Sequence, residues 1–194
     1  MPHLFTVYSC NDTRIGGGLA TAVRVITARP ARLPAEPYMG MQRYFVTACT
    51  NYRERHFVSP AAVHPIREHL LQQALAFGFD VTAYCFMPDH LHVLLAARHD
   101  DAEFRECMRR FKQMSAYHHR KSRRSALWQP GYFERVLRND EATGAVVRYI
   151  LENPVRAGLT QRFQDYPFSG STVYSTAQLA DLWQEFELRR NGRT

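Results

Sequence analysis

The stretch Tyr84-Cys-Phe-Met-Pro-Asp-His-Leu-His-Val-Leu-Leu95 carries two histidines, one residue apart, at the start of a predicted buried strand. The apolar run after His92 indicates the strand, and side chains alternate faces along a strand. His90 and His92 therefore point the same way, about 7 Å apart at a rise of roughly 3.3 Å per residue. Two imidazoles on one rigid strand are half of a divalent metal site. The alternative is a pair of surface histidines on the open face of a sheet.

The segments on either side of this strand predict a ferredoxin-like α+β fold. β-branched and aromatic residues predict strands at 43–49, 80–86, 90–96 and 133–137. One helix is predicted from Ser59-Pro60 to about residue 77, and another from a cap at Asp100 or Asp101 to about residue 124. The order strand, helix, strand, strand, helix, strand is the split βαβ pattern, an antiparallel sheet with helices on one face. The other face can stay open.

A further helix, which carries Tyr149, is predicted as an addition to this unit and must pack near the sheet. Asn139 or Asp140 would cap its start. It is predicted to end at Asn153-Pro154, because proline disfavours helical backbone in the residue before it. Residues 167–173 are predicted to be irregular and residues 176–189 to be helical.

Three regions are predicted along the chain. Residues 1–37 contain three consecutive glycines and prolines at positions 30, 34 and 37, which predicts a flexible extension with one short strand at 22–26. Residues 38–175 form the predicted main domain, and residues 176–194 a C-terminal helix and tail. No run of 18 apolar residues is present and the first residues lack a signal-peptide pattern, so no membrane association is expected. Four scattered cysteines favour a reduced, cytoplasmic setting.

A basic stretch between residues 105 and 124 predicts contact with phosphates. The formal net charge of +7 and the pI near 9.5 already favour a polyanionic partner. Only Glu106 opposes the eight cations in this stretch, whereas an ordinary solvated helix face is more evenly balanced. The residues expected to hold nucleic acid are Arg109, Arg110, Lys112, Arg120 and Lys121.

Aromatic residues that follow the basic stretch could stack on unpaired bases or belong to the core. Trp128 is predicted to contact DNA, and Tyr132 and Phe133 share the two possibilities. For Phe133 the core is favoured.

Tyr149 and Asn153 are four residues apart and so share one helix face. A tyrosine phenolate can attack a phosphodiester and keep the phosphate as a covalent ester. The amide oxygen of Asn153 could be a further metal ligand. On chemistry alone Tyr149 could instead be a packing residue, and Tyr117 and Tyr132 are competing nucleophiles.

Four separated segments resemble one family. They are Met87-Pro-Asp-His-Leu-His-Val-Leu-Leu95, Leu127-Trp-Gln-Pro-Gly-Tyr-Phe-Glu-Arg-Val-Leu-Arg-Asn139, Tyr149-Ile-Leu-Glu-Asn-Pro-Val-Arg-Ala-Gly158 and Asp165-Tyr-Pro-Phe-Ser169. In this order and spacing they resemble the HUH single-tyrosine transposases, and within these the REP-associated tyrosine transposases (RAYT). The resemblance spans roughly residues 41–175, so residues 38–175 would be the catalytic domain.

The resemblance implies a metal-dependent endonuclease and strand transferase that cuts and rejoins single-stranded DNA through a 5′-phosphotyrosine. It makes Tyr149 the nucleophile, and His90, His92 and Asn153 ligands of Mg²⁺ or Mn²⁺, with no nucleotide cofactor. Asparagine at position 153, where many single-tyrosine transposases have glutamine, fits the REP-associated branch. Asp89 could accept a hydrogen bond from one histidine or could only shape the turn. The implied partner is single-stranded DNA with hairpins (REP-like repeats), bound by a monomer or homodimer.

Three other functions are compatible with parts of this pattern. A hairpin-DNA-binding protein without transposition activity would need the basic surface but not the chemistry. An HUH replication initiator or relaxase would share the chemistry, but these are usually larger, and relaxases usually carry more histidines in the motif. A metal-dependent hydrolase would release its product without a protein adduct. The single His-Leu-His with a downstream tyrosine favours the transposase.

Overall fold

The computed structural model describes residues 41–137 and 140–191, apart from the side chains of 140–142 and 185–191. The predicted extension 1–37, with its strand at 22–26, lies outside the described residues. The main elements are β1 Arg43–Cys49, α1 Pro60–Ala76, β2 Phe79–Met87, β3 His90–Ala97, α2 Phe104–Ser122, β4 Phe133–Leu137, α3 Asp140–Arg156, β5 Ser169–Gly170 and α4 Thr176–Asn191. Short 3-10 turns occur at Asn51–Arg53 and Phe163–Asp165.

The sheet confirms the ferredoxin-like prediction. Its five strands pair antiparallel in the order β4-β1-β3-β2-β5, so β3 is central and lies between β1 and β2. In this register Thr47 of β1 lies opposite His92 and Cys49 lies opposite His90. Because directly opposed side chains share a face, the register decides which residues surround the two histidines.

Helices α1 and α2 cover one face of the sheet. α1 begins after Ser59 with a proline in its first turn, and Gly78 follows its C-cap at φ 77°, a conformation that glycine adopts without strain. The fully buried ring of Tyr44 stacks on Phe104 of α2 with centroids 4.1 Å apart. The two helices also pack against each other, which builds the main hydrophobic core.

Helix α3 covers the opposite face, where β2 and β3 run beneath it. The prediction of an added helix near the sheet is therefore confirmed, and this helix covers the face that the split βαβ pattern alone could leave open. Phe45 of β1 is 6% exposed and meets Tyr149 of α3 edge-on, with ring centroids 5.9 Å apart. Burial of this second face places the histidine pair in the interior.

Three element bounds differ from the sequence prediction. α2 begins at Phe104 rather than after Asp100 or Asp101, because Asp101 is bound to the ring of His99 and the chain turns there. α3 continues through Pro154 to Arg156, since a proline removes one helical hydrogen bond and the next turn retains its own, from Ala157 N–H to the carbonyl of Asn153.

The third difference lies in the segment predicted to be irregular, which contains the short strand β5. The long strand β2 offers hydrogen-bonding groups along its outer edge, and this segment uses them. Phe86 N–H donates to the carbonyl of Phe168, and Thr172 N–H donates to that of Val81.

The C-terminal helix α4, predicted from the sequence, packs against α3. Trp183 stacks on Phe163 with ring centroids 4.7 Å apart, and Leu179 is buried. No helix of the described residues is long and apolar enough to cross a bilayer.

Candidate active site

His90 and His92 face each other at the centre of the sheet. They are 3% and 2% exposed, so the surface-histidine alternative is wrong. Their ring centroids are 4.6 Å apart and their Nε2 atoms 3.0 Å apart. The shared strand face brings the two side chains together, and the covering helix α3 shields them from solvent.

The outer ring nitrogen of each histidine has a polar partner. Nδ1 of His90 lies 2.6 Å from a carboxylate oxygen of Asp89, and Nδ1 of His92 lies 2.9 Å from the hydroxyl oxygen of Thr47. An ionised Asp89 can only accept, so His90 donates through Nδ1 and, when neutral, presents the lone pair of Nε2 to His92. Hydrogen bonds of this kind orient metal-binding imidazoles.

The electrostatic setting of this pair favours a neutral His92. Burial, followed by the charges of His90 and Arg53, holds the pKa of His92 well below its ordinary value of 6.5. Asp89 is held by a second partner, since its other carboxylate oxygen lies 2.9 Å from a guanidinium nitrogen of Arg53. Burial acts to raise the pKa of Asp89, but hydrogen bonding to His90 and the charges of His90 and Arg53 keep it below its usual range.

Tyr149 lies against the histidine pair in the same chain. Its ring centroid is 5.4 Å from that of His92, and the guanidinium carbon of Arg156 lies 5.7 Å from the same tyrosine ring. Tyr149 is partly buried at the edge of the core. The structure thus brings together the predicted nucleophile and one predicted ligand, from elements far apart in sequence.

The spacing of the two histidines suits a shared cation. Two imidazole nitrogens that bind one ion at about 2.1 Å in adjacent octahedral positions are about 3.0 Å apart, and the observed separation is 3.0 Å. Within the described part of the chain, no three His, Cys, Asp or Glu side chains form a group that could hold a metal ion. Among the described side chains, a further ligand beside this pair would be of another type.

Asn153 is the ligand of another type that the sequence predicted. It lies one turn after Tyr149, and its amide nitrogen donates to the backbone carbonyl of Tyr149 over 2.6 Å. This hydrogen bond fixes the side chain and uses the amide nitrogen, so the amide oxygen is the atom suited to an ion.

The exposed cations of α2 form two groups at opposite ends of the helix. Arg105, Arg109 and Arg110 lie in its first half, and the last two pair with Glu106. Arg120 and Lys121 lie in its last turn, where Lys121 stands over the ring of Tyr117 at 4.6 Å. Ten residues of helix separate the groups by roughly 15 Å.

The last turn of α2 lies beside the segment that joins β1 to α1. The buried ring of His119 meets that of His56 with centroids 4.7 Å apart. In the same region Asn51 N–H donates to the carbonyl of Leu127 and Thr50 N–H to that of Asp89. The C-terminal cations of α2 are therefore at the end of the sheet that carries the histidines, although α2 itself packs on the other face.

Two predicted DNA contacts are turned inward and need correction. Trp128 is 8% exposed, packs between Phe57 and Phe111, and donates from Nε1 to the hydroxyl of Ser115 over 2.9 Å. A buried indole offers no face to a base. Lys112 Nζ donates to the backbone carbonyls of Gln129 and Gly131, which makes it a brace for the loop before β4.

The two remaining aromatic residues of this segment are Tyr132 and Phe133, which could stack on bases or lie in the core. Phe133 is 39% exposed, so the favoured core assignment is wrong for it. Tyr132 is partly buried and meets Phe104 edge-on.

Two residues of the site were not predicted. Thr47 is recognisable only once the β1–β3 register is known, because its strand parity then matches that of His92. Arg53 follows Tyr52 in a left-handed turn, and no periodic pattern marks it. It reaches Asp89 because the 3-10 turn after β1 folds back over Cys49, whose sulfur lies 3.1 Å from the guanidinium.

Comparisons with known proteins agree on one family. Residues 40–153 match the family described as "Transposase IS200 like". A REP-associated tyrosine transposase of Haemophilus influenzae, so named provisionally, is 25% identical over 65% of this chain and 77% of its own. That of Escherichia coli K12 is 30% identical over 47% of this chain and about half of its own length, 53%.

A solved structure has a similar fold. It is a REP-associated tyrosine transposase bound to a REP hairpin, 24% identical, with a TM-score of 0.57 over 68% of this chain and 76% of the other. The resemblance stated from the sequence motifs is thereby confirmed.

The buried histidines predict a loss of stability in mild acid. A histidine whose pKa is lower in the folded than in the unfolded chain binds fewer protons when folded, so stability falls as the pH drops below about 6.5. Burial is the first cause of such a lowered pKa for His92, and also for His56, His69 and His119. We expect the melting temperature in EDTA to fall between pH 7.5 and 5.5.

His92→Gln, which keeps a partner for Thr47, isolates the contribution of His92. Its melting temperature should fall less over the same pH interval, because one of the four histidines with a lowered pKa is removed, and it should still fall because the other three remain. An equal fall in the variant and in the native chain would contradict the assigned role of His92.

Proposed function

Because this chain belongs to the IS200-like transposase family, we propose that it cuts and rejoins single-stranded DNA through a covalent bond to Tyr149. The observation that carries the proposal is the contact of Tyr149 with His92, with ring centroids 5.4 Å apart in one chain. It combines a nucleophile and a phosphate-binding centre in one place, as transfer through a protein adduct requires. Both residues come from the same polypeptide, which supports attack in cis.

The reaction proceeds by two transesterifications. The phenol of Tyr149 loses its proton and its oxygen bonds to the scissile phosphorus, while the bond from phosphorus to the 3′ oxygen breaks. The 3′ oxygen takes up a proton and leaves as a hydroxyl, and the 5′ phosphate stays on the tyrosine. A 3′ hydroxyl of another strand then attacks this ester and releases Tyr149. Since one ester replaces another, the joining step needs no nucleotide.

The chain's own residues prepare the phosphate site. Asp89 and Thr47 fix the rings of His90 and His92 so that both Nε2 atoms point to one position. His90, His92 and Asn153 would hold a divalent ion, Mg²⁺ or Mn²⁺. When bound, that ion would neutralise charge on a non-bridging phosphate oxygen. Helix α3 excludes water from the pair, which favours transfer to a strand over hydrolysis.

Hairpin-containing repeats are the proposed substrate. The similar solved structure is that of a relative bound to a REP hairpin, and the exposed cations of α2 offer contacts to phosphates. A DNA substrate in the cell fits action in the cytoplasm, as do cysteines 49, 85 and 107, which form no disulfide with one another. A hairpin-binding protein without chemistry is the second candidate, favoured by the partial burial of Tyr149.

Tyr149→Phe should abolish covalent attachment to DNA while hairpin binding changes little, because the change removes one hydroxyl and almost no packing. The measurement is incubation with single-stranded hairpin DNA and Mn²⁺, followed by a denaturing gel. Tyr117→Phe is the matched control, since Tyr117 is an exposed tyrosine of α2 and should keep the adduct. An adduct in Tyr149→Phe would refute the assignment, and no adduct in the native chain would favour the second candidate.

His90→Ala and His92→Ala should each weaken Mn²⁺ binding by about tenfold or more, because each change removes one ligand of the ion. Asn153→Ala should weaken it less, because a neutral amide oxygen is a weaker ligand than an imidazole for such an ion. Calorimetric titration of the DNA-free protein measures this without depending on activity. His69→Ala is the control, because His69 of α1 contacts His118 and not the histidine pair. Equal affinity in all four variants and the native chain would remove the metal from the proposal.

The two cation groups of α2 should contribute unequally to DNA affinity. Arg120→Glu with Lys121→Glu should reduce affinity for matched and scrambled hairpins alike, and lower the slope of log affinity against log salt by roughly 0.7 per lost phosphate contact. Arg109→Glu with Arg110→Glu, an equal change of charge, should have the smaller effect because those residues are distant from the histidine end. Binding across a salt series measures both. A larger effect of the Arg109 and Arg110 pair would contradict this arrangement.

A further inference from the structure

We propose that Tyr52 is a stacking site for an unpaired DNA base beside the scissile phosphate, an inference that rests on the proposed function. Tyr52 is 79% exposed, the highest value among the large hydrophobic side chains described. Its backbone lies in the left-handed region, at φ 50° and ψ 21°, and Arg53 follows at φ 59°. Non-glycine residues rarely adopt this conformation. The chain thus accepts strain to present an aromatic ring to solvent.

The turn that carries Tyr52 is held firmly on both sides. Thr50 N–H donates to the carbonyl of Asp89 over 3.0 Å, and the Thr50 hydroxyl lies 2.7 Å from the carbonyl oxygen of Glu54 and 2.9 Å from that of Asp89, either of which can accept its proton. Asn51 N–H donates to the carbonyl of Leu127 over 2.9 Å, and Glu54 N–H closes the turn on Asn51. Strained backbone persists where the surroundings over-determine it, and such positions concentrate at binding and active sites. A fixed ring loses little freedom when a base stacks on it.

The same turn is joined directly to the histidine pair. Arg53, the next residue, binds the carboxylate of Asp89, and that carboxylate binds His90. Arg53 also reaches Cys49, whose strand position faces His90. Tyr52 is therefore one residue away from the support of the proposed phosphate site. The proposal places a base next to a phosphate in that site against this ring.

A nucleobase fits this place better than a protein partner does. The three residues after Tyr52 are Arg53, Glu54 and Arg55, of which Arg53 is paired with Asp89. The last turn of α2 adds the exposed Arg120 and Lys121, next to the contact between His56 and His119. Single-strand binders combine cations along the backbone with aromatic rings that take successive bases. Leu75 of α1, another exposed apolar residue, has no cation within three residues along the chain.

The test asks whether the contribution of one base to DNA affinity depends on the ring of Tyr52. A synthetic stem-loop with single-stranded tails of about ten nucleotides is bound in EDTA, and an abasic nucleotide is moved along each tail. With the native ring, one tail position should lose about 5- to 160-fold in affinity, the range for a base stacked on an aromatic side chain. In Tyr52→Gly that position should lose little more than its neighbours.

Two variants separate stacking from a structural role. Glycine adopts φ 50° without strain, so Tyr52→Gly should melt at the same or a higher temperature than the native chain while its DNA affinity falls. Tyr52→Phe should behave as the native chain in both measurements. An identical abasic profile in the native chain and in Tyr52→Gly would overturn the proposal, whatever the melting temperature of the variant.

Measured on the Tyr149→Phe background, the coupling does not depend on cleavage. If the coupling is found but the native chain forms no adduct, the base site stands and the proposed chemistry fails. If the adduct forms without coupling, this inference alone fails.

Discussion

The rest of the site depends on the burial of two imidazoles, those of His90 and His92, whose Nε2 atoms are 3.0 Å apart. Polar groups taken out of water destabilise a fold unless they are hydrogen-bonded. Here the two outer nitrogens are held by Asp89 and Thr47, and Asp89 is held in turn by Arg53. These contacts join three segments of the chain, namely β1 with Thr47, the turn with Arg53, and the start of β3 with Asp89 before it. The inner nitrogens are left facing each other, which is the arrangement that a shared cation would stabilise.

Much of the fold could be predicted because local patterns decide it. β1 and β4 have the predicted bounds, since short aromatic and β-branched runs between turn residues leave few alternatives. The shared face of His90 and His92 follows from strand alternation alone. The start of α2 could not be predicted, because Asp100 and Asp101 are good caps in sequence, and only the contact of Asp101 with His99 shows that the chain turns there.

The side-chain environment of the site was harder to predict than its position. Nothing local in the sequence says that α3 covers the histidine face, so exposure of that face was the simpler expectation. Trp128 and Lys112 looked like DNA contacts because they are of the right type and close to a basic stretch. Their inward orientation follows from tertiary partners, the hydroxyl of Ser115 and two loop carbonyls. Arg53 lies in a three-residue turn, which carries no periodic signal.

The short strand β5 has a consequence for how this protein can associate. An uncovered sheet edge offers a row of free hydrogen-bonding groups to any other strand. On the outer side of β2, backbone groups of Val81 and Phe86 are already bonded to the segment around β5. The opposite edge strand, β4, has five residues and includes the charged residues Glu134 and Arg135. Of the two edge strands, β4 is thus longer than β5, which has two residues. A second copy that joined the sheet by strand addition would therefore find its longer row of backbone groups along β4, next to the start of α3, the helix that carries Tyr149.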